Sequence, residues 1–401
     1  MLSPEPPYPL HGGGAYRTAS LVHYFSRFAA VDLILISESG QPALLPPGLV
    51  RSQKTIALPP HGRALRTRWI RNAGRALRGV PPLIDRLSGL APALAEALRE
   101  QHYDIGIVEH FWCAPYVDQI GSACVRTVLD LHNIESVLHE RSAAAGGGLI
   151  AMGHRRFAAI SRKLESELLP RFSLVLAASI VDADVAANLA PAAHIEVYPN
   201  ALPYVTKPQF ENARTAEQPI VVFSANFEYH PNIDAVRFLV SEIWPEVRKR
   251  RPGLRLRLVG RGDCAIRQLL RGETDIEATG AVPDAFAEIS RAAIVIAPLR
   301  TGSGTRVKIL EAWAAARPVI ATPLAAEGLL AQDGRNIVFA NSPPAFANAI
   351  SRLLSDPSES GQLACCGRHT FEQHYTWEAA WRTLDASLQV TCAPEVNRYT
   401  G

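Results

Sequence analysis

The stretch Ala297–Ala316, A-P-L-R-T-G-S-G-T-R-V-K-I-L-E-A-W-A-A-A, constrains the fold of this 401-residue chain more than any other. The apolar run Ala292–Pro298 reads as a buried strand. A loop follows, Arg300–Gly304, with two glycines and two hydroxyl residues. Val307, Ile309, Leu310, Ala312, Trp313 and Ala314 then recur at helical spacing. The order is strand, glycine-rich loop, helix N-terminus. Free N–H groups and the positive end of the helix dipole face whatever lies above the strand, and they favour phosphate. Arg306 and Lys308 add two cations. Glu311, further along the helix, is suited to accept hydrogen bonds from sugar hydroxyls. The plain alternative is that Glu311 and Lys308 are solvated helix charges and that Gly302 and Gly304 only make a turn.

Strands and helices alternate on both sides of this stretch. Ala15–Ala29 reads as a helix, Val31–Ser37 as a buried strand, Ser52–Leu58 as a strand and Pro92–His102 as a helix. Strand Asp104–Glu109 leads into His110-Phe111-Trp112, and strand Val125–Leu129 into Asp130-Leu131-His132-Asn133-Ile134-Glu135. Helix Ile150–Leu169, strand Leu174–Ala178, helix Val181–Leu189 and strand Ile195–Tyr198 follow, closed by Pro199-Asn200. A second series runs through strand Ile220–Ser224, helix Ile233–Arg250, strand Leu254–Val259, helix Asp263–Leu270, strand Ile276–Thr279, helix Ala285–Ser290 and strand Ala293–Ala297. Strands Val319–Ala321 and Asn336–Phe339 and helices Pro344–Leu354, Glu359–His374 and Trp377–Leu388 complete it. Such alternation implies parallel sheets, which bind ligands beyond their strand C-termini. The expected fold class is α/β, with two Rossmann-like domains facing across a cleft. The expected domains are 1–200, a linker at 201–219, 220–375, and a last helix within 376–401 that returns to the first domain.

The chain is 48% apolar and 20% charged, ordinary for a globular protein. Its net charge of +3 is too small to argue for nucleic acid as a partner. Six cysteines without a C-x-x-C pair fit reduced thiols in the cytoplasm rather than a disulfide or zinc framework. Met1–Leu10 is Pro-rich, with no apolar run of a signal peptide, and no stretch offers about 18 uninterrupted apolar residues for a membrane span.

The segment G-S-G-T-R-V-K-I-L-E-A resembles the donor-nucleotide loop of retaining glycosyltransferases of family 4, which have the GT-B fold. Its form is a recurrent variant among bacterial surface-polysaccharide transferases. That family often carries two glutamates separated by seven residues. Glu311 matches the second, which binds ribose hydroxyls, whereas the first falls on Ser303. The resemblance implies that Ser303, Gly304 and Thr305, with Arg306 and Lys308, carry the donor diphosphate. Gly12, Gly13 and Gly14 resemble the family's first glycine-rich loop, which approaches the same diphosphate; only Met1–Ser3 remain for the strand before its Pro-rich approach. Phe223–Asn232, F-S-A-N-F-E-Y-H-P-N, resembles the opening of the donor domain but lacks the usual glycine-rich turn and cation. His110 matches the His placed against the donor sugar, and backbone near Val282 is expected to meet the base. His132 and Glu327 are candidate sugar contacts.

By resemblance the reaction retains anomeric configuration, with departing phosphate oxygen taking the acceptor's proton. His110, Arg306 and Lys308 are the expected catalytic residues. No metal is expected, because the one D-x-D, Asp182-Ala183-Asp184, reads as a solvated acidic pair in a helix's first turn. The expected partners are a nucleotide-sugar donor and a glycan or lipid-linked acceptor. A UDP-sugar 2-epimerase of the same fold and a non-catalytic nucleotide-sugar-binding module are the competing readings.

One further stretch, His61–Leu77 with Arg78, carries six arginines and no acidic residue. On a helical wheel Arg63, Arg68, Arg71, Arg75 and Arg78 share one side, while Leu65, Trp69, Ile70, Ala73 and Leu77 share the other, with Arg66 the one intruder. This is what a helix lying on an anionic membrane requires, with Trp69 as an interfacial anchor. A helix packed on its own domain by its apolar face shows the same wheel.

Overall fold

The computed structural model describes residues 1–10, 12–59, 65–206, 219–302 and 307–388, and of 65–70, 73 and 145 the backbone alone. Two parallel sheets carry the chain. The first holds β1 (Leu2–Ser3), β2 (Asp32–Ser37), β3 (Ser52–Ala57), β4 (Tyr103–Glu109), β5 (Cys124–Asp130), β6 (Leu174–Ala177) and β7 (Ile195–Val197), in the order β3-β2-β1-β4-β5-β6-β7. The second holds β8 (Ile220–Ser224), β9 (Arg255–Val259), β10 (Ile276–Gly280), β11 (Ile294–Ala297), β12 (Val319–Ala321) and β13 (Val338–Phe339), in the order β10-β9-β8-β11-β12-β13. Strands β4–β6, β8 and β11 are buried toward their C-terminal ends, because helices cover both faces.

In the first domain the helices are α1 (Gly13–Ser26), α2 (Leu65–Arg78), α3 (Pro82–Arg86), α4 (Ala91–Leu98), α5 (Val117–Gly121), α6 (Glu135–Ala145), α7 (Gly148–Leu168) and α8 (Ile180–Leu189). In the second they are α9 (His230–Phe238), α10 (Trp244–Arg250), α11 (Ala285–Ser290), α12 (Val307–Ala314), α13 (Pro343–Ser355), α14 (Pro357–His374) and α15 (Trp377–Leu388). Helix α15 packs on the first domain: Trp377, Ala380 and Leu384 share a buried cluster with Leu21, Tyr24 and Phe25 of α1. The chain crosses between domains at Leu202 and again at Thr376, and the two crossings pair as a parallel bridge.

Several boundaries depart from the sequence reading. The single helix expected over 233–250 is two helices joined by a π-turn, Leu239–Ile243, just before Pro245. A proline there has no N–H to give to the ladder. The helix expected over 263–270 is two 3-10 turns, Asp263–Ala265 and Arg267–Leu270. Helix α6 has no counterpart in the sequence reading. In α8, Asp182 is not a solvated charge: its amide and carboxylate both bond the Ser179 hydroxyl at the N-cap, and burial pushes its carboxyl up.

Candidate active site

Both sheets reverse their strand order beside their first strand, between β1 and β4 and between β8 and β11. The crevice beyond such a reversal is where open α/β sheets hold ligands. In the first sheet the crevice receives Gly12–Gly14, the start of α1. In the second it receives the loop between β11 and α12. The two meet: a Cβ built on Gly13 lies 3.1 Å from Val307 Cγ2, at the start of α12. The sites expected at Ser303, Gly304, Thr305 and Arg306 lie outside the described residues.

Lys308 and Glu311 stand on α12. Lys308 Nζ donates to Asn232 Oδ1 at 3.0 Å and lies over the Phe223 ring. Asn232 in turn donates to the Asn226 carbonyl. Burial pushes the Glu311 carboxyl up to about 7, against the pull of Lys308. Tyr16 of α1 lies close enough to feel Glu311's charge across the cleft. Val282 is half-buried against the second core, just beyond β10. The loop after β8 has no glycine of its own. The close approach is supplied by Gly260, after β9, where an added Cβ would fall 1.9 Å from the Ala225 carbonyl oxygen. Arg261 is the next residue, more than half exposed and 3.8 Å from Glu228.

On the opposite wall the ends of β4 and β5 lie in register, Glu109 beside Asp130. Two buried carboxylates side by side are stable only with compensating cations. Arg17 of α1 grips Asp130 with Nε at 2.8 and 2.9 Å and Nη2 at 2.5 Å, and gives Nη1 to the Tyr198 carbonyl and Asn200 Oδ1. His132 Nε2 lies 2.8 Å from Glu109 and 3.3 Å from Asp130. Burial opposes charge on His132, but the two carboxylates outweigh it and raise the imidazole to about 9. Burial likewise opposes ionisation of Asp130, yet Arg17 and His132 hold it well below the usual range. Burial and the Asp130 charge push Glu109 up. His132 is thus a charged member of this cluster, with its Nδ1 toward Gly14.

His110 follows Glu109 with φ +62°, an uncommon backbone for a non-glycine residue and one associated with functional sites. Its ring stacks between Trp112 (centroids 4.2 Å apart) and His132 (3.5 Å). Burial, with the neighbouring His132 charge, lowers it to about 4, so it is neutral. Trp112 is fixed by its Nε1 bond to Glu135 at the start of α6. Further along α6, Arg141 reaches across to the second domain. It grips Glu327 at 2.5 and 2.9 Å and donates to the Gly302 carbonyl. Glu327 is therefore engaged in an interdomain ion pair.

Glu109, Asp130 and His132 bring three metal-ligating atoms within 4.8 Å of one another. Arg17 already provides the cation this pair of carboxylates needs. The arginine helix also differs from its wheel. Arg75 is buried, not part of a free basic face: it bonds Asp85 and Asn72, and Arg78 shares the same Asp85. Leu77, on the apolar side of the wheel, is 86% exposed, which an interfacial helix allows and a helix packed by that whole side does not. A wheel shows which residues share a side, but Asp85 on α3 decides which side turns inward. Arg63 lies outside the described residues, as do the side chains of Arg68 and Trp69.

Residues 218–356 match the family model described as Glycosyl transferases group 1. A search of curated proteins finds no match. Among solved structures the chain is similar to sucrose-phosphate synthase from Thermosynechococcus elongatus, at 17% identity and a TM-score of 0.73, covering 97% of each chain. It is similar to HepE of Anabaena, solved with UDP and glucose, at 15% identity and 0.64, covering 97% of this chain and 98% of that one. It is also similar to WaaG, a glycosyltransferase involved in lipopolysaccharide biosynthesis, at 12% identity and 0.63, covering 96% and 98%. Those likenesses establish the fold, and the family match falls on the domain that carries Lys308 and Glu311. The chain has the GT-B fold of these structures, and residues 218–356 of its second domain match the model described as Glycosyl transferases group 1.

Proposed function

We propose that the enzyme transfers a sugar from a nucleotide-sugar donor to a glycan or lipid-linked acceptor, with retention and without a metal, in surface polysaccharide synthesis. The observation that carries this reading is the meeting of Gly13 with Val307 at the start of α12, which supports a donor site between the helix that bears Lys308 and Glu311 and the domain that bears His110. In this reading Lys308, with Arg306, stabilises charge that grows on the departing diphosphate. Glu311 holds the ribose hydroxyls, the backbone near Val282 meets the base, and His110 faces the sugar. Arg17 in the place of a cation supports the metal-free mechanism. The test is NMR of a nucleotide-sugar panel incubated with and without a polysaccharide-precursor acceptor. Transfer with retained anomeric configuration, unaffected by EDTA, is the expected result. Conversion of donor in the absence of acceptor would identify an epimerase, and no turnover a binding module.

Substituting Glu311→Ala is expected to weaken nucleotide binding about ten- to a hundredfold, the worth of a hydrogen bond to a charged group. Calorimetry measures it. Unchanged affinity in a folded variant would remove Glu311 from the donor site.

No helix among the described residues is long and apolar enough to cross a membrane. We propose that the enzyme works in the cytoplasm and docks on an anionic membrane face through α2. Helix α2 packs beside α7. Exposed Leu77 on α2, exposed Leu149, Ile150 and Met152 at the start of α7, and exposed Arg78, Arg155 and Arg156 support this, since interfacial helices combine apolar and basic contacts. Flotation with liposomes is expected to rise with anionic lipid and to fall with salt. It should fall again when Arg68, Arg71 and Arg78 become Glu. Equal recovery with neutral and anionic liposomes would make α2 ordinary domain surface.

A further inference from the structure

Glu5 lies between β1 and the glycine loop, facing the cleft wall that holds His110. Its carboxylate is about half exposed. Oε2 sits 3.7 Å from His110 Nε2 and 2.7 Å from where a Cβ on Gly14 would stand, so the carboxylate occupies the space that the glycine leaves open. The partnership with His110 outweighs burial and keeps Glu5 ionised. Behind it, His110 is 5% exposed, and neither ring nitrogen has a hydrogen-bond partner. A buried, neutral imidazole with both nitrogens open, behind an ionised carboxylate, is an unfinished polar site. On the second domain's side Arg261 stands close enough for its charge to reach Glu5.

The cleft is therefore polar in two different ways. Near α12 it offers Lys308 and a helix N-terminus, which suit an anion. Near Glu5 it offers a carboxylate, which repels phosphate, beside a neutral imidazole with one donor and one acceptor nitrogen, and the two together suit hydroxyl groups. A nucleotide-sugar has the same two-part character, anionic at the diphosphate and polyhydroxyl at the sugar.

We propose that Glu5 is a specificity-determining residue that accepts hydrogen bonds from hydroxyl groups of the transferred sugar, with the His110 ring completing the contact. This rests on the donor reading above. Calorimetry on the full chain compares UDP with UDP-glucose and GDP with GDP-mannose, for the native sequence, Glu5→Gln and Glu5→Ala. In the native chain the sugar is expected to add affinity over the bare nucleotide. Glu5→Gln should lower that increment about tenfold while leaving the bare nucleotide unchanged, because a charged acceptor is replaced by a weaker one. Glu5→Ala, which removes the acceptor altogether, should lower the increment at least as far. Three results would overturn the inference: no sugar increment in the native chain, an increment untouched by both variants, or tighter binding of nucleotide and nucleotide-sugar alike in Glu5→Gln. The last would make Glu5 only a repulsive charge beside the diphosphate. Binding of no nucleotide by the native chain would instead overturn the donor reading, and this inference with it.

Discussion

Asp130→Ala is expected to cost the first domain about 3–5 kcal/mol, the penalty for leaving a buried cation without its partner. Arg17 is 1% exposed, and most of its hydrogen bonds run to Asp130. The others, to the Tyr198 carbonyl and Asn200, satisfy donors but bring no opposite charge. His132 loses one of its two carboxylates in the same substitution. A fall of roughly 10 °C in the midpoint of thermal unfolding follows for a domain of this size. Urea titration followed by circular dichroism measures the loss. A variant as stable as the parent would mean that neutral acceptors alone suffice for Arg17. An Arg17→Met, Asp130→Leu double variant should recover much of the loss, since an apolar pair removes both charges together.

Lys308→Ala is expected to lower turnover about a hundredfold or more, with a smaller change in the donor's apparent binding constant. Positioned cations act on charge that develops in the transition state, and removing one such group costs about that much. The substitution also frees Asn232, whose side chain holds the Asn226 carbonyl at the turn after β8. Steady-state kinetics separates the two effects. Normal turnover with weak donor binding would make Lys308 a ground-state anchor. Asn232→Ala tests the positioning contribution, and its loss should be smaller than that of Lys308→Ala.

The strand and helix that flank the second domain's candidate site are legible in the sequence because they are local. A buried strand, a glycine loop and an apolar-periodic helix lie within about two dozen residues, and each step has its own composition. The first domain's site is not, because its bonds join residues far apart in sequence. Arg17 meets Asp130 and Asn200 only after β1, β4, β5 and β7 have assembled. Pro199-Asn200 marks a strand end, but nothing in it says that Asn200 holds an arginine. Arg141 gives no signal, since α6 (E-S-V-L-H-E-R-S-A-A-A) has no apolar stripe to mark it as a helix. Glu5 reads as part of a Pro-rich approach; only the packing of Gly14 reveals where its carboxylate goes. Arg75 shows the limit of the helical wheel, since the orientation is set by an aspartate on another helix.

The paired crossings at Leu202 and Thr376 have a mechanical consequence. Leu202 N–H donates to the Tyr375 carbonyl, and Trp377 N–H donates to the Leu202 carbonyl. Two covalent links tied side by side act as a door hinge with one axis, where a single link would act as a swivel. The lobes can part but cannot twist freely against each other. The contacts that span the gap, Gly13 with Val307 and Arg141 with Glu327 and Gly302, record one register of the lobes. A pair of tied crossings thus restricts how the two lobes can be displaced from the register those contacts record.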